Sequence, residues 1–124
     1  MAFLILSAGR DANALRFRSA FLRDKGYDVV TAGDSPELIN KLFNGDFDLV
    51  LLCDSLREEE RRRATGLIKL YTPSTPVILI SSIEGRQYAY GDLTVPNSPA
   101  AILASIEMAA AIPPRSRARA SSAA

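Results

Sequence analysis

Residues 48–53 read Asp-Leu-Val-Leu-Leu-Cys. After the aspartate, residues 49–53 form one of several short apolar runs that decide the fold. Residues 3–6 and 77–80 are similar runs, each apolar at every position. Continuous apolar runs of this length, closed by turn residues, predict strands that are buried on both faces. The β-favouring residues 27–31 and the brief run 93–95 before Pro96 complete a set of five predicted strands.

Amphipathic patterns that predict helices separate most of these strands. The predicted helices span residues 12–25, 35–44, 57–70 and 98–111. Gly26 follows the first helix where a left-handed C-cap is favoured, and Ser35 and Ser98 are predicted N-caps that each precede a proline. Within the first helix, the residues expected on the core side are Ala14, Phe17, Phe21 and Leu22. Alternating strands and helices predict a parallel sheet with helices on both faces and right-handed crossovers.

The segment between the fourth and fifth strands is too short for a complete crossover helix. Only ten residues separate Ser82 from Leu93, and Gly85 and Gly91 lie among them. A helical connection between parallel strands usually needs a dozen residues or more. We therefore expect the fourth helix of the alternation to be reduced or missing.

Composition limits both the domain organisation and the chemistry of the chain. Its 124 residues and 48% apolar content suit one compact domain, predicted for residues 1–112, followed by a disordered basic tail over residues 113–124. The net charge of +1 provides no field that would attract nucleic acid or a membrane. The absence of histidine excludes Ser-His-Asp and His-metal chemistry. With one cysteine, no secretory signal and no apolar stretch of membrane-spanning length, the predicted location is cytoplasmic.

Five stretches in this order resemble the response-regulator receiver domain, the CheY-like family. The resemblance covers about residues 3–111, and the stretches are residues 4–6, 26–32, 47–52, 75–81 and 93–96. It implies a flavodoxin-like, doubly wound α/β fold with strand order 2-1-3-4-5. It also implies a site where an aspartate after the third strand accepts a phosphoryl group from a histidine kinase. In that site two acids help to hold Mg²⁺, and a hydroxyl and a lysine bind the phosphoryl oxygens.

The chain keeps only part of the residues that the resemblance implies. Gly9 and Arg10 stand at the positions of the two acids, with Asp11 just beyond as a predicted N-cap. Ser81 matches the hydroxyl position, whereas Val95 replaces the lysine. A permanent cation at position 10 opposes a divalent metal, so no metal site and no cofactor are expected.

Two residues compete for the phosphoacceptor position. The match over residues 48–52 puts Cys53 there, whereas Asp54 follows one residue later and would reach the site if the third strand ended late or contained a bulge. Otherwise Asp54 is expected in the loop, paired with Arg10. Mg²⁺ would bind only if Asp54 and Asp11 formed a site.

These residues favour a pseudo-receiver, a non-enzymatic module of two-component (phosphorelay) signalling that acts by protein–protein interaction without Mg²⁺-dependent phosphorylation. The expected partner is a histidine kinase or another signalling protein, with a homodimer as a further option and exposed Tyr88 and Tyr90 on the interaction face. The alternative is a phosphorylatable receiver that uses Asp54. A remote alternative is an enzyme with Cys53 as nucleophile, in which Glu59 stands where a phosphate-binding arginine would be needed.

Overall fold

A computed structural model describes residues 3–111 of the chain. Five strands form one parallel sheet in the order β2-β1-β3-β4-β5, which confirms the predicted topology. The elements in chain order are β1 (Leu4–Ala8), α1 (Ala12–Asp24), β2 (Asp28–Ala32), α2 (Ser35–Asn44), β3 (Leu49–Cys53), α3 (Glu58–Tyr71), β4 (Val77–Ser81), β5 (Leu93–Pro96) and α4 (Pro99–Ala110). The tail predicted for residues 113–124 lies outside the described residues, as does position 112.

Alternate residues of each strand pack into two separate cores because successive side chains point to opposite faces of a sheet. Helices α2 and α3 cover one face, where Leu38 and Ile68 pack on Leu52 and Leu79. Helices α1 and α4 cover the other face; the buried residues there include Leu22, Ile102, Leu51, Ile80 and Val95. The central strands β3 and β4 are buried along their whole length, as their continuous apolar sequences predict.

The helix ends agree with the predicted caps at all but one position. Ser98 accepts a hydrogen bond from the backbone N–H of Ala101, and Gly26 has the positive φ of 97° that favours glycine after a helix. The prediction that Ser35 is the N-cap of α2 is wrong: Asp34 accepts from the backbone N–H of Glu37, and Ser35 is the first helical residue. Asp34 and Ser35 are both good caps, so sequence preference does not separate them.

The core-facing side of α1 matches the prediction only in part: Leu22 is fully buried and Phe21 packs against the core, as predicted, but the rest of the face differs. Its buried residues are Leu15, Arg18, Ser19 and Leu22, whereas Phe17 is 66% exposed. The prediction rested on the helical spacing of Ala14, Phe17, Phe21 and Leu22. The observed face contains Leu15 and Leu22, two turns apart, and therefore also buries the polar residues between them.

No helix connects β4 to β5, as the short spacing predicts. Tyr88 and Tyr90 of this connection are half-buried and pack on the α2/α3-side core, with their ring centroids 5.5 Å apart. The guanidinium groups of Arg61 and Arg62, on α3, lie 4.8 and 4.6 Å from the centroids of Tyr88 and Tyr90 respectively. Burial also raises the pKa of Tyr90. The two tyrosines thus cover the core in place of a helix, and the expectation of an exposed aromatic face is wrong.

No helix within residues 3–111 is long and apolar enough to cross a membrane.

Candidate functional site

The candidate site lies at the carboxyl edge of the sheet, where β1, β3, β4 and β5 end beside one another. Gly9 follows β1 and is buried against the loop after β3. A Cβ at Gly9 would lie 2.9 Å from the Ser55 Oγ and 3.1 Å from the Cys53 Cβ. The Ser55 hydroxyl also accepts a hydrogen bond of 2.8 Å from the backbone N–H of Arg10. The loop after β3 therefore fills the space that a side chain at position 9 would need.

Arg10 pairs with Glu60 rather than with Asp54. Its guanidinium Nη2 lies 2.6 Å from Glu60 Oε2, and the other Glu60 oxygen accepts a hydrogen bond of 2.9 Å from the backbone N–H of Arg57. The expected Arg10–Asp54 pair is thus wrong. The physical reason is that Glu60 closes the first turn of α3 and holds its carboxylate, 9% exposed, facing the β1–α1 loop.

These contacts favour the ionised form of Glu60. The hydrogen bond from Arg10 lowers the pKa of Glu60 below its ordinary value, and the hydrogen bond from the Arg57 backbone acts in the same direction. A charged pair at this point joins the loop after β1 to the start of α3. The positive charge of Arg10 is therefore already matched within the chain.

Cys53 is the last residue of β3 and is 4% exposed. Its Sγ lies 3.8 Å from the Nη2 of Arg18, a residue of α1 that is 6% exposed. The Cys53 thiol is also 3.8 Å from Asp54 Oδ1. The predicted acceptor position thus contains a buried thiol between a guanidinium and a carboxylate.

Asp54 lies in the turn after β3, and Ser82, which follows β4, holds its carboxylate. The Ser82 backbone N–H donates to Asp54 Oδ2 at 2.8 Å, and the Ser82 hydroxyl donates to Asp54 Oδ1 at 3.1 Å. The Asp54 backbone N–H donates to the carbonyl of Ile80, which continues the β3–β4 pairing by one residue. Each oxygen of the Asp54 carboxylate thus accepts one hydrogen bond from the neighbouring strand end.

The two other predicted positions take part in local structure. The Ser81 hydroxyl is buried and makes hydrogen bonds to the backbone of Ile83, two residues ahead, at 3.1 and 3.2 Å. Val95 is 7% exposed and packs in the α1/α4-side core. Ser81 therefore stabilises its own turn, and Val95 contributes apolar area rather than charge.

The residues at this edge do not fit the Mg²⁺ that the resemblance implies. Mg²⁺ prefers oxygen ligands in octahedral geometry, whereas Gly9 and Arg10 stand at the positions of the two implied acids, and the acceptor position holds either the Cys53 thiol or Asp54. Asp11 accepts a hydrogen bond from the backbone N–H of Ala14 as the N-cap of α1, as predicted. Residues 3–111 contain no group of three or more Asp, Glu, Cys or His that could hold a metal ion.

Four residues of this edge are not among the predicted site residues: Arg18, Ser55, Glu60 and Ser82. Glu60 belongs to the run Glu58-Glu59-Glu60-Arg61-Arg62-Arg63, whose residues are typical of a solvent-exposed helix. Arg18 could have been found from its spacing of three residues after Leu15 and four before Leu22, which puts it on the buried face. No sequence signal distinguishes Ser55 or Ser82 from an ordinary turn residue.

Several solved structures that resemble the chain are response regulators. TrrA from Thermotoga maritima, solved with Mg²⁺-BeF, aligns with a TM-score of 0.69 at 23% identity over 77% of this chain and 87% of that one. A two-component response regulator from Clostridium difficile gives 0.75 at 21% over 86% and 94%. The chemotaxis response regulator CheY4 of Vibrio cholerae gives 0.74 at 15% over 88% and 99%. The sequence matches no protein-family model and no curated protein significantly.

The strand order and the two helical layers define a doubly wound α/β domain of the flavodoxin-like class. Together with these structural neighbours, they establish that the chain has the CheY-like fold of response-regulator receiver domains, with four helices within residues 3–111.

Proposed function

We propose that the chain is a pseudo-receiver: a module of two-component signalling that binds other proteins and does not accept a phosphoryl group. The observation that supports this most directly is the state of Asp54, whose two carboxylate oxygens already accept hydrogen bonds from Ser82. Each hydrogen bond draws electron density from the carboxylate, which lowers its nucleophilicity, and together the two bonds hold the group against the end of β4. On this proposal the chain is not an enzyme.

The electrostatics at the sheet edge support the same proposal. Transfer of a phosphoryl group needs preorganised positive charge around the developing negative charge. Arg10 is paired with Glu60, and Val95 provides no ammonium group. The Arg18 guanidinium lies 3.8 Å from the Cys53 thiol, but position 53 has no carboxylate that could accept a phosphoryl group. The lysine and the Mg²⁺-binding acidic pair that the resemblance implies for neutralising the phosphoryl charge are therefore replaced in this chain.

The second candidate function is a receiver that is phosphorylated on Asp54. Its position directly after β3 favours this alternative, since a small rotation of the turn would release the carboxylate from Ser82. It would still need a metal ion with Asp11 as a second acid, and Asp11 caps α1. A Cys53-based enzyme is less well supported: the thiol is 4% exposed, and Glu59 stands where a phosphate-binding arginine would be needed.

Treatment of the purified protein with acetyl phosphate and Mg²⁺, followed by intact-mass spectrometry, tests the proposal. We expect no 80 Da adduct, because Ser82 holds the Asp54 carboxylate and residues 3–111 contain no group of three or more Asp, Glu, Cys or His that could hold Mg²⁺. A phosphorylatable response regulator treated in parallel is the positive control. A stoichiometric adduct that disappears in Asp54→Asn would overturn the pseudo-receiver in favour of the second candidate.

The interaction half of the proposal needs a separate measurement. Binding of purified histidine-kinase dimerisation domains from the same genome can be measured by biolayer interferometry without ATP. A pseudo-receiver is expected to bind at least one of them with an affinity that acetyl phosphate leaves unchanged. Binding that appears only after acetyl phosphate treatment contradicts the proposal, and sedimentation velocity of the protein alone shows whether it pairs with itself instead.

A further inference from the structure

Arg18 lines a cleft between α1 and the beginning of α4 that the proposed function does not use. The cleft has a volume of about 260 Å³, and its walls include Phe17 and Phe21 from α1 and Asn97 and Ile102 from the β5–α4 connection and α4. It is a different feature from the Asp54–Ser82 contact, since none of its lining residues belongs to that contact.

Arg18 has no ion-pair partner among residues 3–111. The residue is 6% exposed, and its one hydrogen bond within these residues goes to the Cys53 thiol at 3.8 Å. Buried charges in proteins are normally paired or neutralised, because removing a charge from water costs free energy that only a partner returns. A guanidinium that is buried beside a cleft and has no carboxylate partner therefore favours an anion in that cleft.

The other walls of the cleft define the rest of the ligand. Phe17 is a large aromatic residue that is 66% exposed at the cleft, and Phe21, Pro99 and Ile102 add further apolar surface. The positive end of the α4 dipole lies at Pro99, where it adds to the attraction for negative charge. Asn97 can offer its side-chain amide as a neutral hydrogen-bonding group.

We propose that this cleft binds a small organic carboxylate with a compact apolar body. The planar guanidinium of Arg18 matches a carboxylate with two parallel hydrogen bonds, and a single negative charge balances its single positive charge. The volume lies below the roughly 300–1,000 Å³ of pockets for drug-sized ligands, so the apolar body must be about the size of one ring. The ligand's ring would cover Phe17.

Benzoate is a suitable probe, and benzamide is its neutral counterpart of nearly equal shape. In a ¹H–¹⁵N NMR titration of the whole chain, benzoate is expected to bind with a dissociation constant on the order of 1 mM, an affinity accessible to so small a ligand. The amide signals expected to move are those of Phe17, Arg18, Asn97 and Ile102. Benzamide is expected to bind at least about tenfold more weakly, since it lacks the charge that Arg18 recognises.

Substitutions in α1 test whether benzoate binds in the cleft. Arg18→Met keeps an unbranched apolar stem but removes the charge, and it is expected to weaken benzoate binding at least about tenfold. Arg16→Met removes a charge from an exposed position of the same helix outside the cleft and is expected to bind as the wild type does. Should Arg18→Met fail to fold, Ala14→Leu provides a second variant, because Ala14 lines the cleft and a larger side chain there would fill it.

Equal binding of benzoate and benzamide, or unchanged binding by Arg18→Met, would overturn the role of Arg18. Inorganic phosphate binding as tightly as benzoate would overturn the role of the apolar walls. Signal changes confined to residues away from α1 and α4, or no change up to about 10 mM benzoate, would overturn the site itself.

Discussion

Gly9 shows how a single residue restricts what the sheet edge can hold. Because a Cβ at this position would lie 2.9 Å from the Ser55 Oγ and 3.1 Å from the Cys53 Cβ, Gly9→Ala requires both neighbours to move. We expect Gly9→Ala to lower the free energy of unfolding by about 1–3 kcal/mol, as overpacking of a filled site usually does. Urea denaturation measures this change.

Gly66 offers a matched control for that substitution. It lies on α3 with no atom within 4 Å of a built Cβ, so Gly66→Ala is expected to raise the free energy of unfolding by about 0.5–1 kcal/mol. Both substitutions restrict the unfolded chain in the same way, and their difference therefore isolates the contact at Gly9. A stabilised Gly9→Ala would show that the Ser55 loop does not fill this space.

The ionised Glu60 carboxylate leads us to expect that the free energy of unfolding falls at acidic pH. Its pKa is lower in the folded protein than the ordinary 4.5, mainly because Arg10 donates a hydrogen bond to it. A lowered folded pKa adds stability that is complete above the unfolded value and is lost as the pH falls from about 4.5 through the folded value. In Glu60→Gln this loss is absent, so its free energy of unfolding is expected to fall less than that of the wild type below pH 4.5.

Glu59 is the neighbour against which the Glu60 effect can be judged. Its side chain is 77% exposed, and its nearest cation, the Arg57 Nε, lies 3.7 Å away at the surface. Glu59→Gln is expected to reproduce the wild-type curve of stability against pH within about 0.5 kcal/mol. If Glu59→Gln and Glu60→Gln behave alike, the Arg10–Glu60 pair does not stabilise the fold.

For single residues, the sequence predicted the position of a helix cap better than it predicted which residue forms an ion pair with another. The placement of Asp11 as a cap depends on local spacing alone and is confirmed. The partner of Arg10 depends on which of several nearby acids points toward the loop after β1, and that depends on the first turn of α3. Asp54 and Glu60 are both plausible by charge, and only the three-dimensional arrangement separates them.

Among the elements, the connection from β4 to β5 makes the clearest prediction. The Tyr90 hydroxyl is buried and has no hydrogen-bond partner among the described residues, whereas its ring packs on the core below Arg62. We expect Tyr90→Phe to leave the free energy of unfolding unchanged or to raise it by up to about 1 kcal/mol, because an unsatisfied polar group is removed. Tyr90→Ala is expected to lower it by about 2–4 kcal/mol.

Chemical denaturation of the two variants separates the ring from the hydroxyl. A loss of stability in Tyr90→Phe would mean that the hydroxyl has a hydrogen-bond partner in solution, such as a water molecule. Equal stability of Tyr90→Ala and the wild type would show that the connection does not protect the core. Leu93→Ala serves as a comparison, since Leu93 is 43% exposed and its truncation should cost less.

The presence or absence of an element was predictable where the length of a segment determines it. The side on which a helix packs was less predictable. The ten-residue spacing before Leu93 excluded a crossover helix whatever the side chains were. The side of α1 that faces the sheet was not predictable from its apolar residues, because Phe17 is exposed at the cleft while Arg18 is buried beside Cys53. A polar residue on a buried face is the feature that hydrophobic periodicity misses.

For the whole molecule, the layered arrangement predicts an order of local stability. The amides of β3 and β4 lie in the middle of the sheet between two cores, and they are expected to exchange with solvent only on global unfolding. Residues 84–91 have few backbone hydrogen bonds and no helix. Their amides are expected to exchange more than about a hundredfold faster, measured by NMR in D₂O. Equal protection would show that the tyrosines hold this connection as firmly as a helix would.

The overall topology was more predictable than the contacts of single side chains, because many weak sequence signals agree on the topology. Buried strands such as residues 77–80 and the cap at Ser98 each point to the same alternation, and errors at single residues such as Ser35 do not change it. The arrangement of charges at the sheet edge has no such redundancy. Each contact there, such as that between Asp54 and Ser82, depends on one pair of residues.

The Asp54–Ser82 contact has a consequence for how such a module could carry information. A carboxylate that already holds donors from the next strand end gives the proposed pseudo-receiver one resting form rather than two forms that a covalent mark interconverts. The quantity that its partners would then sense is the number of copies in the cell. Control would fall on synthesis and degradation, and the response would last as long as the polypeptide itself.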